Sequence, residues 1–211
     1  MKILKIAGMF LLALLIMVVT QGIASIFSDL IPFLGMGAIL QGILYIIFAF
    51  LVVRLFIKHV LKDRLNAYRI TKPKFSVIYV VLGIGLPVAV YAVYVIFVPG
   101  DFIVHHFSTL NDILHTFFWA IFVTAIGGAV VEEMVCRGLL MGYIEKKTNI
   151  NIAIISTAIF FGAIHLLNGG LNVTSFFLLL ISGSLVGIMF GLATYKFNTI
   201  WASITLHFWA L

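Results

Sequence analysis

Apolar residues run in long unbroken blocks along this chain, and short polar stretches separate them. The blocks cover residues 6–27, 34–57, 75–98, 113–144, 150–167, 175–195 and 199–211. About 20 apolar residues in a helix cross the roughly 30 Å hydrocarbon core of a bilayer. Backbone in lipid must pair its polar groups internally, and these runs lack the short alternating segments of barrel strands. The pattern predicts an all-α fold: a polytopic membrane helical bundle of about seven transmembrane helices, the seventh short of a full crossing. The first block follows Lys2 and Lys5, as a signal peptide would, but its 22 residues exceed an h-region of about 7–15. It reads as a retained helix. The fourth block is 32 residues long. At about 1.5 Å per residue it would reach about 48 Å, so it is tilted, broken or extended beyond the lipid, with Gly127-Gly128 as the irregular point.

Composition supports this reading. The 211 residues are 64% hydrophobic and 9% charged, against about 25% charged in soluble domains. The single cysteine, Cys136, excludes an internal disulfide framework. The net charge of +6 is concentrated in residues 58–74, where Lys58, Lys62, Arg64, Arg69, Lys72 and Lys74 face only Asp63. The loops expected on the other side lack Lys and Arg. By the positive-inside rule the basic loop is cytoplasmic and the N-terminus lies on the same side. The basic loop suits the head groups of membrane lipids rather than nucleic acid. The outer-loop pair His105-His106 reads as solvated.

Gly183, Gly187 and Gly191 repeat every four residues, as do Gly138 and Gly142. Small residues at that spacing let helices approach closely in lipid. Packing inside one bundle is the expectation, and a dimer face is the alternative.

The chemistry concentrates in Glu132-Glu133-Met134-Val135-Cys136-Arg137. A Glu or Arg at the centre of a membrane helix costs roughly 2.5–3.5 kcal/mol on insertion scales and marks a functional site by default. Glu133 and Arg137 stand four apart on one helical face and can neutralise each other. Glu132 is left over and suits a general base. Glu132 lies 14 residues before Lys146, and His165 lies 14 residues after Asn151. Both are therefore about 21 Å from the inner turn on antiparallel helices, at one depth. His207 lies 11 residues after Lys196, roughly one turn away. A glutamate with two histidines suits activation of water, directly or through a divalent metal such as zinc held by Glu132, His165 and His207.

Glu132-Glu133-x-x-x-Arg137, then Phe161-x-x-x-His165, then His207 on a later helix, resembles the CPBP family of CAAX prenyl protease and bacteriocin-processing (Abi) membrane proteins. The resemblance runs from about residue 113 to the end. It divides one integrated membrane domain into residues 1–112, without family motifs, and a catalytic core at 113–211. It implies an intramembrane endopeptidase acting on a peptide or membrane-anchored protein. In that reading Glu132 activates water, His165 assists, Glu133 and Arg137 complete the site, and His207 orients the water or stabilises the oxyanion. Family members are named metalloproteases. The family's usual Asn, four residues after the second histidine, is Leu211 here, and Asn168 is a candidate substitute. The bland alternative is a non-catalytic scaffold or a bacteriocin self-immunity protein on the same fold. A proton-coupled transporter is disfavoured, because no inverted repeat is evident.

Overall fold

The computed structural model describes residues 2–28, 36–74, 76–97, 109–168 and 172–210. The expected outer turn at Asp29 and Pro32, the loop carrying Asp101, His105 and His106, and Leu211 lie outside the described residues.

Seven helices account for the apolar blocks among the described residues, and no strand is present there. They are α1 (Lys2–Ser28), α2 (Met36–Val60), α3 (Val77–Phe97), α4 (Leu110–Lys147), α5 (Ile150–Ile164), α6 (Val173–Phe197) and α7 (Ile200–Ala210). Four of them, α1, α2, α4 and α6, are long and apolar enough to cross a membrane by length and composition. Large apolar side chains such as Leu11, Leu15, Ile47, Leu51, Ile155, Phe177 and Leu185 face outward. In water that surface would be a liability. In a bilayer it is the face that meets lipid, and the chain is an integral membrane protein.

Local chemistry sets the helix ends. Thr109 and Asp112 form a reciprocal capping box at the start of α4. Asn149 and Asn172 each accept a backbone N–H two residues into the next helix, from Ile152 and Ser175. Asn198, at φ 51°, closes α6 in the left-handed conformation that Asn tolerates better than most residues.

The long fourth block is not broken. It is one helix of 38 residues with two stretches of wider π-helical turns, Trp119–Gly128 and Met134–Leu140. Gly127-Gly128 ends the first stretch, so the irregularity falls there as a change of winding and not as a break. Such turns shift side-chain register within a helix and recur at functional sites. They bracket Ala129–Glu133, the segment carrying both glutamates.

The second half of α4 is the axis of the bundle. From residue 131 to residue 144 every side chain is buried except Glu132, which is partly open. Around it, α5 and α6 meet through glycine. A Cβ on Gly183 would lie 2.9 Å from Gly162 Cα, and one on Gly187 would lie 2.8 Å from Ala158 Cα. The glycine row therefore serves packing inside the bundle. Gly138 and Gly142 face Ile70 and Tyr68 of the basic loop. That loop is fastened to the end of α4 by Arg69 on Glu145 (2.7 and 3.0 Å) and by Lys146 on Asp63. The Lys146 ammonium holds the Asp63 carboxyl below the usual carboxylate range. The expected inner loop and inner turn thus share one end of the molecule.

Candidate active site

The paired glutamates point into different environments. Glu133 and Arg137 have no exposed side-chain surface and bond at 2.8 Å, Arg137 Nη1 donating to Glu133 Oε1. The second Arg137 nitrogen, Nη2, donates to the Gly187 carbonyl at 3.2 Å. The guanidinium lies 4.2 Å from the Phe161 ring centroid and 5.3 Å from that of Phe190. A planar, weakly hydrated cation between aromatic faces is the form in which a charge is least costly to bury. His207, from α7, stacks on Phe190 at 4.9 Å, and its Nδ1 lies 3.0 Å from Glu133 Oε1. A carboxylate oxygen only accepts, so Nδ1 carries the proton. Glu133, Arg137, His207, Phe161 and Phe190 thus form a closed layer that ties α4, α5, α6 and α7 together.

Glu132 faces the other way, into a cavity of about 170 Å³ lined by Leu14, Met17, Val18 and Gln21 of α1, Tyr45 of α2, and Ile164 and His165. His165 sits where α5 tightens into the 3₁₀ turn His165–Asn168. Its Nδ1 is 2.7 Å from the Phe161 carbonyl oxygen. That oxygen is an acceptor, so Nδ1 donates, and the neutral ring offers Nε2 as a lone pair. Nε2 stands 3.9 Å from Glu132 Oε2, beyond hydrogen-bond range. Glu132 Oε2 is buried and has no hydrogen-bond partner among the described residues.

The common depth expected for Glu132 and His165 is therefore present in the fold, and Glu133 meets Arg137 across one helical turn. His207 joins Glu133 and not Glu132. Asn168 closes the 3₁₀ turn, and its side chain lies outside the described residues. The donors considered for zinc, Glu132, His165 and His207, are divided between the two layers. Among the described residues no group of three His, Cys, Asp or Glu side chains is placed to hold a metal ion. As arranged, these residues do not fit a three-ligand site. Gln21 and Tyr45 were not singled out from the sequence. The available signals were a polar amide in an apolar block, and a tyrosine well inside its span where tyrosines prefer the membrane interface.

No curated protein and no solved structure matches the chain. The family profile described as type II CAAX prenyl endopeptidase Rce1-like matches residues 114–210. That stretch holds Glu132, Glu133, Arg137, His165 and His207, with both layers of the site except their α1 and α2 walls. This region, a little under half of the chain, is similar to the CAAX protease family of membrane proteins.

Proposed function

We propose that this protein is an intramembrane endopeptidase in which Glu132 activates water for attack on a peptide bond. One observation carries the reading. Two acceptors, Glu132 Oε2 and His165 Nε2, face each other at 3.9 Å beside a cavity, and no donor among the described residues bonds to Glu132 Oε2. A pair of acceptors in contact is unfavourable unless a donor bridges them, and a polar gap longer than 3.5 Å is where a water belongs. A water there gives one proton to each partner and keeps its lone pairs for a carbonyl carbon. Glu132 takes a proton as the water attacks, and returns it to the amine as the C–N bond breaks. His165, fixed by the Phe161 carbonyl, orients the water. Proton transfer by a positioned side chain contributes typically 10²–10⁴-fold.

The closed layer keeps the site in shape. Arg137 neutralises Glu133 directly below Glu132, and His207 bonds to Glu133, so α7 is held against α4. In this reading Glu133, Arg137 and His207 act through position. Leu14, Met17, Val18 and Ile164 give the cavity an apolar wall suited to a substrate that arrives within the lipid, a peptide or a membrane-anchored protein. In this reading the basic loop and the end of α4 face the cytoplasm of a bacterial cell, with the N-terminus on the same side, as the positive-inside rule supports. The test compares the termini of membrane peptides in cells carrying the wild type and Glu132→Gln at equal abundance. New termini confined to the wild type support the peptidase. Identical termini, with the variant still rescuing a deletion phenotype, establish a scaffold or immunity role in its place.

A further inference from the structure

Hydrolysis of an amide needs a donor for the oxygen that becomes negative as water adds, and the family's usual Asn position is Leu211 in this chain. The cavity beside Glu132 has four polar side chains in its lining: Gln21, Tyr45, Glu132 and His165. Two of them present acceptors to it, the Glu132 carboxylate and His165 Nε2. Among the described lining residues, the side chains left to donate are Gln21 and Tyr45. Gln21 is exposed on α1 and sits at the rim. Tyr45 is 3% exposed, and its ring packs against Gly127, where a Cβ would lie 3.4 Å from Cδ1. Its hydroxyl makes no hydrogen bond to the described residues. The hydroxyl is not among the fully buried atoms that lack a partner, so it opens onto the cavity that holds the reactive pair, where an entering group can accept from it.

We propose that Tyr45 is the oxyanion donor of this site: its phenolic O–H bonds to the carbonyl oxygen of the scissile peptide. The inference rests on the peptidase reading above. As the water oxygen bonds to the carbonyl carbon, its proton passes to Glu132 and the C=O π pair moves onto oxygen, where the Tyr45 O–H meets it. On collapse that pair reforms C=O, the C–N bond breaks, and the Glu132 proton goes to the amine nitrogen. One water is consumed, and a carboxylic acid and an amine are released. Tyr45 lies on α2, outside the stretch that matches the family. The first helices would then complete the chemistry as well as enclose it.

The experiment uses the full chain in proteoliposomes, with a synthetic peptide spanning a cleavage site produced by the wild type and not by Glu132→Gln. Tyr45→Phe removes only an unpartnered hydroxyl, so its thermal unfolding should match the wild type or rise. Its kcat should fall about 10²–10³-fold, the usual cost of one oxyanion donor, with KM within about threefold. Stability held while kcat falls is the signature of a donor used only in the transition state. A kcat within about threefold of wild type overturns the proposal and leaves the peptidase standing. A Tyr45→Phe protein that unfolds also overturns it, because the hydroxyl then has a structural partner. If the wild type and Glu132→Gln are equally inert, the peptidase reading fails and takes this proposal with it.

Discussion

Glu132 Oε2 and His165 Nε2 stand 3.9 Å apart on different helices, each as an acceptor facing an acceptor. The arrangement is held by a hydrogen bond on the far side of the ring, from His165 Nδ1 to the Phe161 carbonyl at 2.7 Å. If both groups act on one water, their losses will not add. Glu132→Gln should lower peptide hydrolysis by about 10²–10⁴-fold, and His165→Ala should lower it comparably. The double variant should be no slower than Glu132→Gln alone within about threefold, as residues that act as a unit behave. Losses that multiply in steady-state kinetics would mean that the two side chains act in separate steps.

The closed layer makes a different prediction. Arg137→Met leaves the Glu133 carboxylate buried without its cation, and breaking a buried pair from one side costs about 3–5 kcal/mol. Glu133→Gln with Arg137→Met removes both charges and should recover most of that loss. Thermal unfolding in detergent of the single and double variants reads the difference. A single variant as stable as the wild type would show that the pair does not hold the bundle. The recovered double variant should stay poor in hydrolysis, because His207 would have lost its charged acceptor and α6 its Arg137 bond to Gly187.

Much of this site was legible in the sequence because helix geometry converts residue counts into depth. Equal counts of 14 from the inner turn put Glu132 and His165 on one level, and a spacing of four paired Glu133 with Arg137. Counting along a helix says nothing about rotation, however. That is why His207 could be grouped with Glu132 and His165 from the sequence, whereas α7 turns it onto Glu133. Nor does it register the wider π turns on either side of Ala129–Glu133, which alter how much rotation each residue contributes. Tyr45 was hidden for a third reason: it is far away in the chain, and only the contact of α2 with α4 at Gly42 and Gly127 brings it to the cavity.

That rotation of His207 bears on metal. A zinc site with an open position needs three protein ligands. Here Glu132 and His165 form one pair, and His207 is engaged elsewhere. Purified protein is therefore expected to carry no stoichiometric zinc, and hydrolysis should survive chelator treatment. Metal analysis by mass spectrometry checks the first point and a chelator titration the second. About one zinc per chain, lost in both His165→Ala and His207→Ala, would show that the two layers merge around an ion.

The close contact of α5 and α6 couples packing to the site. Cβ atoms at Gly162 and Gly187 would meet backbone, 2.6 Å from the Leu180 carbonyl oxygen and 2.8 Å from Ala158 Cα. Neither neighbour can move without shifting a helix. By contrast, a Cβ at Gly191 meets the Ile154 side chain at 3.1 Å, and one at Gly8 meets nothing within 4 Å. Gly162→Ala and Gly187→Ala should each cost about 1–3 kcal/mol through overpacking. Gly187→Ala should also reduce hydrolysis, because α6 carries the carbonyl that accepts from Arg137 Nη2. Gly191→Ala should be milder, since a flexible side chain gives way. Gly8→Ala should be neutral or stabilising, as alanine is the better helix former. Melting temperatures and activities of the four variants order these expectations. If Gly187→Ala melts and cleaves like Gly8→Ala, the α5–α6 contact does not set the position of Arg137.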